Sequence, residues 1–117
     1  RGAKEGIDFA ILTNEIYKGT FEMTAKGIKK YKNLDNPNNP RDHMNELELI
    51  LTMLGEATTT KLSQTRNSKG LPLLKKDAKD GGQVAGNARK EIELKTGKKV
   101  VTKGNFLEQK QTKKIKN

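Results

Sequence analysis

The apolar pattern between Asp42 and Leu62 restricts the possible folds more than any other feature of this sequence. Apolar or small residues recur there at steps of three and four: Met44, Leu47, Leu51, Leu54, Thr58 and Leu62. This period places side chains on one face of an α-helix, and Ile50 and Met53 widen the stripe. An apolar stripe has to be covered. We therefore expect Leu47, Leu51 and Leu54 to be buried against other helices or against a second copy of the chain.

The residues before this helix predict two shorter elements and a loop. The segment from Gly6 has apolar residues at mixed spacing, which indicates a short helix or turn, and Asn14 is suited to stop one helix or cap the next. Thr24 is a suitable N-cap for a second helix. That helix carries apolar residues on one side and lysines on the other: Lys26, Lys29, Lys30 and Lys32. Prolines 37 and 40 among asparagines then predict a loop.

A glycine-rich segment follows, and its Gly81 and Gly86 have the spacing that begins a phosphate-binding loop, G-x-x-x-x-G-K-[ST]. Asn87 and Ala88 stand where that loop needs a lysine and a hydroxyl, so nucleotide binding is not expected. The pattern instead predicts a helix from about Leu73 to Lys95, ended by Gly97. Val84, Ala88 and Ile92 share one face of it. Gly82 and Gly86 lie half a turn away and would let another helix approach closely.

Composition sets the scale of the fold. The chain has 117 residues, and apolar residues plus glycine make up about 41% of it, against roughly 45–50% in average domains. Only Val100 and Val101 form a β-like pair. We therefore predict an all-α fold, a small bundle of four to five helices with a basic, partly extended C-terminal segment. Residues 1–105 would form the helical domain, the C-terminal domain of a longer protein, and residues 106–117 a basic tail.

The charge is concentrated in the second half of the chain. Residues 1–60 hold eight Lys/Arg and nine Asp/Glu, whereas residues 61–117 hold sixteen and five, so that the net charge of +10 arises there. Such a half is expected to meet polyanions, although a solvated basic segment with no specific partner is the alternative. The candidate contact residues are Lys75, Lys79, Arg89, Lys90, Lys95, Lys98, Lys99 and Lys103. Phe106 is the only aromatic residue in this half, so contact with a nucleic-acid backbone or an acidic protein surface is favoured over base stacking.

Catalytic and metal-binding patterns are missing from the sequence. His43 is the only histidine, its neighbour Asp42 would not face it on a helix, and there is no cysteine. We therefore expect no catalytic residues, no metal and no cofactor, and a packing or capping role for His43. No apolar run approaches the roughly 20 residues of a membrane span. The absence of cysteine fits a reducing cytosol, so a cytoplasmic protein is expected. Because the sequence shows no catalytic set, we also expect that the protein is not an enzyme.

Four stretches in a fixed order carry a family resemblance: IDFAILTNEIYKGTF, MTAKGIKKYKNL, RDHMNELELILTMLGEATTTKL and GGQVAGNARKEIE. Together they resemble the C-terminal half of the DNA-damage-inducible protein D family and related phage BRO-type proteins, over about Ile7 to Asn105. The most specific motif residues are structural in character: Asp8, Phe9, Ala10, Ile11, Tyr17, Gly19, Asp42, His43, Met44, Glu48 and Leu49.

This resemblance implies a function and a context. Full-length members carry an N-terminal BRO-like domain, which would explain a start at Arg1. Members belong to the bacterial SOS response, oppose the action of recombinase filaments on DNA and are not known as enzymes. The implied partners are a recombinase filament, DNA or both, at the nucleoid when bound. The alternative is an antirepressor-type DNA-binding regulator, as in phage relatives. One departure stands out, because Glu56 occupies the position of an arginine in the family's Arg-Ala-Thr-Gln run.

Overall fold

The protein is built from helices. A computed structural model describes residues 7–34 and 39–103. In chain order it contains α1 (Ile7–Phe21), α2 (Ala25–Tyr31), a 3₁₀ helix (Pro40–His43), α3 (Glu46–Arg66) and α4 (Leu71–Thr96). The predicted all-α class is confirmed, and no strand occurs in the two described ranges. The tail predicted for residues 106–117 lies outside the described residues.

Local side-chain signals account for where the helices begin and end. The Thr24 hydroxyl accepts a hydrogen bond from the Gly27 amide at 3.1 Å, as expected of an N-cap. α3 begins at Glu46 rather than at Asp42, because Asn45 and Glu48 form a capping box with reciprocal hydrogen bonds of 2.9 and 2.8 Å. Gly97 ends α4 in the left-handed region, with φ 71°.

α1 is longer than the sequence pattern predicts. It is a continuous helix of 15 residues, and Asn14 lies inside it instead of ending it. The Asn14 side-chain oxygen accepts a hydrogen bond from the Ala25 amide at 2.9 Å, so this residue ties α1 to the first turn of α2. α1 packs against both α3 and α4. Contact on two sides explains its mixed apolar spacing, which does not form one stripe.

Glycines bring α1, α3 and α4 into backbone contact. A Cβ atom on Gly82 would lie 2.7 Å from the Ile16 carbonyl oxygen, and one on Gly19 would lie 2.6 Å from the Gly82 carbonyl carbon. A Cβ on Gly86 would collide with the Gly19 carbonyl oxygen. The close packing predicted for Gly82 and Gly86 is therefore confirmed. The segment is helical throughout, as expected of a packing helix and not of a phosphate-binding loop. Val84, however, is exposed and takes no part in this contact.

Replacing Gly86 by leucine is expected to destabilise the fold by roughly 1–3 kcal/mol through overpacking. On an exposed helical surface, loss of a glycine would instead add up to about 1 kcal/mol of stability. The obstructing atom belongs to the α1 backbone, so it cannot rotate away. Urea denaturation of Gly86→Leu and of the control Gln83→Leu, at an exposed position of α4, would measure the difference. Equal stability of the two variants would contradict close packing.

One cluster of buried apolar residues lies at one end of the helices and includes the segment that follows α4, and Ile16, Leu74, Ala78 and Ala85 are buried outside this cluster. The cluster consists of Tyr17, Phe21, Ile28, Met44, Leu51, Val100 and Val101. Residues 98–103 fold back after Gly97, so that the two valines cover the ends of α2 and α3. The predicted β-like pair is therefore a pair of core residues in an irregular segment. A thin apolar composition is sufficient here because this segment closes the core.

A buried ion pair holds the returning segment in place. The Lys32 ammonium lies 2.9 Å from the Glu48 carboxylate, and their side chains are 0% and 1% exposed. Lys32 also donates a hydrogen bond to the Thr102 carbonyl oxygen at 2.8 Å, and the Thr102 amide donates to Glu48 at 3.1 Å. The prediction that Lys32 lies on the solvent side of α2 is thus wrong. It is buried because it satisfies polar groups of two other segments.

The buried face of α3 differs from the predicted stripe. Leu51 is buried at 2% exposure, but Leu47 and Leu54 are 40% and 38% exposed, so the expectation that all three are buried is wrong for two of them. Small and polar residues of α3 are buried instead: Glu48, Thr52, Gly55 and Ser63. The glycine contacts explain this choice. Backbones this close leave no room for leucines, whereas a glycine and short side chains fit.

Candidate functional site

An open cleft rich in lysine lies between the C-terminal half of α1 and the N-terminal half of α4. It has a volume of about 500 Å³. Its walls carry four lysines, two carboxylates and a proline: Glu15, Lys18, Pro72, Lys75, Lys76, Lys79 and Asp80. We call this the lysine cleft. Lys18 precedes Gly19, and Lys79 lies one turn before Gly82, so the glycine contact between the two helices brings these lysines together.

Opposite charges neutralise only part of the lysine cleft. Lys18 pairs with Glu15 at 2.8 Å, and Lys76 lies 3.8 Å from Asp80. Within the described part of the chain, neither Lys75 nor Lys79 forms an ion pair. The two are one helical turn apart on exposed positions of α4. A negatively charged group entering the cleft could therefore bind two ammonium groups without displacing a carboxylate from either of them.

An internal polar network fixes the acidic side of the cleft. Arg66 at the end of α3 donates to Asp77 at 2.8 Å and to Asp80 at 2.9 Å, and the Ser63 hydroxyl donates to Asp77 at 2.9 Å. Burial alone would raise the pKa of Asp77, but hydrogen bonds from Ser68, Arg66 and Ser63 outweigh it and lower the pKa. Because Arg66 also donates to Asp80, its positive charge offsets the negative charge of Asp80. The cleft therefore keeps an excess of positive charge.

The lowered pKa values predict how stability depends on pH. Burial also acts to raise the pKa of Glu93, but hydrogen bonds from the Val100 amide and Arg89 lower it. A carboxylate with a lowered pKa stabilises the fold above its unfolded pKa of about 4 and loses that contribution as the pH falls through its folded pKa. Asp77→Asn should thus be less stable than wild type at pH 7, and urea denaturation should show the difference shrinking below about pH 4. A difference that is independent of pH would contradict this.

Arg89 lies inside the fold, which corrects its assignment to a polyanion-binding surface. It is 7% exposed. Its guanidinium donates to the Thr20 carbonyl oxygen, to Glu93 and to Glu22, each at 2.7 Å. All of its donating nitrogens are therefore occupied by α1, α4 and the residue after α1. A buried arginine next to the glycine contact is a packing residue, and the lysines carry the exposed charge.

The other basic residues do not join the lysine cleft. Lys90, Lys95, Lys98, Lys99 and Lys103 are all exposed. Lys95 lies 16 residues after Lys79, which is about 24 Å along a helix. Lys98 and Lys99 line a second cleft, of about 520 Å³, beside Leu47 and Val100. The Lys103 ammonium lies 5.8 Å from the centre of the Tyr31 ring. The continuous basic run of the sequence is therefore divided between the two ends of α4.

Sequence reasoning missed two lysines of the cleft and one further basic surface. Lys18 was missed because only the helix crossing brings α1 to α4, whereas Lys76 could have been found from its neighbour Lys75. Lys26, Lys29 and Lys30 of α2 line an opening of about 680 Å³ together with Asn33. Their helical spacing was visible, but their position relative to the other basic residues was not.

The family-motif residues mostly belong to the scaffold. Tyr17, His43, Met44 and Glu48 are buried, and Gly19 forms the helix contact. The packing role expected for His43 agrees with its burial. Other motif residues are partly buried, namely Asp8, Ile11 and Leu49, and three are exposed, namely Phe9, Ala10 and Asp42. Glu56, which the resemblance places opposite an arginine of the family, pairs with Arg41 at 2.8 Å.

The described residues hold no group of three or more His, Cys, Asp or Glu side chains placed to bind a metal ion. No helix within residues 7–34 and 39–103 combines the length and apolar character needed to cross a membrane.

Comparison with known proteins connects this fold to a DNA-damage context. The family model described as the DinD C-terminal domain matches residues 1–112. Neither curated proteins nor solved structures give a match. The relationship to phage BRO-type proteins stays a prediction. Because the family model covers nearly the whole sequence, this chain belongs to the DinD C-terminal domain family, a family of DNA-damage-inducible proteins.

Proposed function

We propose that this domain is a non-catalytic regulator in the bacterial DNA-damage response that acts on a recombinase–DNA filament through the lysine cleft. Family membership supports the DNA-damage context. The observation that carries the proposal is the exposed pair Lys75 and Lys79, which lies in a concave surface with Lys18 and Lys76. A recombinase–DNA filament would offer DNA phosphates to these lysines, and we propose that the contact takes place at the nucleoid, in the cytoplasm.

The chemistry of the cleft favours contact with a phosphate backbone. Lysine ammonium groups bind phosphate oxygens as point charges and do not require one geometry. The side chains that line the cleft include no aromatic residue on which a base could stack. Backbone contacts position a protein on nucleic acid without reading its sequence. We therefore expect binding that depends on salt and shows little preference among base sequences.

Neutralising the cleft is expected to weaken binding and flatten its salt dependence. For duplex DNA, log K changes with log salt by about −0.9 per neutralised phosphate, so the slope is near −3.6 if Lys18 and Lys76 exchange their carboxylate partners and all four lysines contact phosphates. Lys75→Gln/Lys79→Gln should reduce the slope to about −1.8. Fluorescence anisotropy with a labelled recombinase–DNA filament would measure it. Lys98→Gln/Lys99→Gln is the matched control, since it removes the same charge at the other end of α4.

The same assay separates the alternatives. Binding to the filament, with much weaker binding to DNA alone, supports the proposal. Equal binding to duplex DNA without recombinase indicates instead the antirepressor-type DNA-binding function. No complex near physiological salt with either partner would show that the cleft is a solvated surface. An effect of the control variant equal to that of the cleft variant would reject this site.

A further inference from the structure

The outer face of α3 is apolar, and no other element within residues 7–34 and 39–103 covers it. Four large residues on it are exposed by 38–54%: Leu47, Ile50, Met53 and Leu54. Leu47, Ile50 and Leu54 are spaced by three and four residues, and Ala57 and Lys61 continue the same spacing. This is the a/d pattern of helices that pack on another helix. Because the opposite face of α3 already packs on α1 and α4, the stripe is a second, separate contact surface.

We propose that a second copy of this chain covers the stripe, with the two α3 helices antiparallel around a two-fold axis between Met53 and Leu54. Charge decides the direction. Glu46 and Lys61 are exposed at opposite ends of the stripe. A parallel pair would place Glu46 beside Glu46 of the partner subunit and Lys61 beside Lys61 of the partner subunit. An antiparallel pair places each glutamate opposite a lysine.

Side-chain size agrees with the same register. With the axis between Met53 and Leu54, each Glu46 faces the partner's Lys61. Each Ile50 then faces the partner's Ala57, a large residue against a small one, and each Met53 faces the partner's Leu54. A two-fold interface uses the same patch on both subunits, and this stripe is complementary to itself in one register. The lysine cleft contains no α3 residue, so it stays open in the dimer.

Sedimentation velocity of the 117-residue chain over a range of concentrations tests the dimer. Wild type should dimerise, and Ile50→Glu should raise the dissociation constant roughly 100-fold or more, because each dimer would bury two unpaired carboxylates at its centre. Leu94→Glu is the matched control, since Leu94 is an apolar residue of α4 that is 84% exposed, and it should leave the dimer unchanged. A wild type that is monomeric at every concentration overturns the proposal, as does an Ile50→Glu variant that still dimerises.

Charge exchange tests the orientation. Glu46→Lys and Lys61→Glu should each weaken the dimer, and the double variant should restore it, because every cross-subunit pair is again opposite in charge. The natural chain has no cysteine, so Leu54→Cys gives a single thiol next to the axis, and oxidation should crosslink two copies. A double variant as weak as the single ones, or a Leu54→Cys dimer that does not crosslink, overturns the antiparallel arrangement.

Discussion

Lys32→Ala is expected to lower the free energy of unfolding by roughly 3–5 kcal/mol, because it leaves the Glu48 carboxylate buried without its cation. Glu48 would keep its hydrogen bonds from the Asn45 and Thr102 amides. Those bonds do not replace a full positive charge. Urea denaturation monitored by circular dichroism would give the value. Lys30→Ala, at an exposed position of the same helix, is the control and should change stability by less than about 0.5 kcal/mol.

Removing both charges should cost less than removing one. A buried ion pair often contributes little net stability, since the cost of taking both charges out of water offsets their attraction. Lys32→Met/Glu48→Gln keeps the volume of both side chains and an oxygen that accepts the Asn45 amide. We expect the cycle of Lys32→Met, Glu48→Gln and their combination to show positive coupling, with the double variant more stable than Lys32→Met alone. Additive losses would mean that the pair does not act as a unit.

Leu51→Ala is expected to cost roughly 2–5 kcal/mol, the loss found for a leucine truncated in a packed core. Leu54→Ala should cost less than about 1 kcal/mol in the monomer, because Leu54 is 38% exposed. The two variants carry the same substitution on one helix, three residues apart, and the sequence pattern treats both positions alike. Urea denaturation at a low protein concentration would compare them. Equal losses would contradict the burial of Leu51 and the exposure of Leu54.

One glycine contact between α1 and α4 shapes both the helical scaffold and the candidate site. The contact of Gly19 with Gly82 and Gly86 lets α1 cross directly on α4, and the lysine cleft lies beside that crossing. Lys18 and Lys79 come from opposite halves of the described chain, yet both line the cleft. Larger residues at the crossing would separate the helices and change the spacing of these lysines. Loss of stability and loss of binding would then appear together in such variants.

Local sequence signals identified α2, α3 and α4, the start of α2 and the end of α4, whereas the extent of α1 and the start of α3 differed from the prediction. Thr24, Gly97 and the apolar periods act within one or two helical turns, so they specify α2, α3 and α4 without reference to the rest of the fold. The close-packing role of Gly82 and Gly86 was also readable, because glycines inside a helix cost stability that only a close neighbour offsets. The all-α class followed from these local signals.

Only the tertiary structure decided which faces are buried and which charges are free. Apolar period alone favoured Leu47 and Leu54 for the core of α3, but helices in backbone contact at Gly55 accept short side chains there. The concentration of basic residues placed Arg89 among the contacts, and helical spacing placed Lys32 opposite the apolar side of α2, although both are hydrogen-bonded inside the fold. The helical period indicates which residues share a face. How closely the neighbouring helices approach depends on glycines that are far apart in sequence, and this approach determines which face is covered.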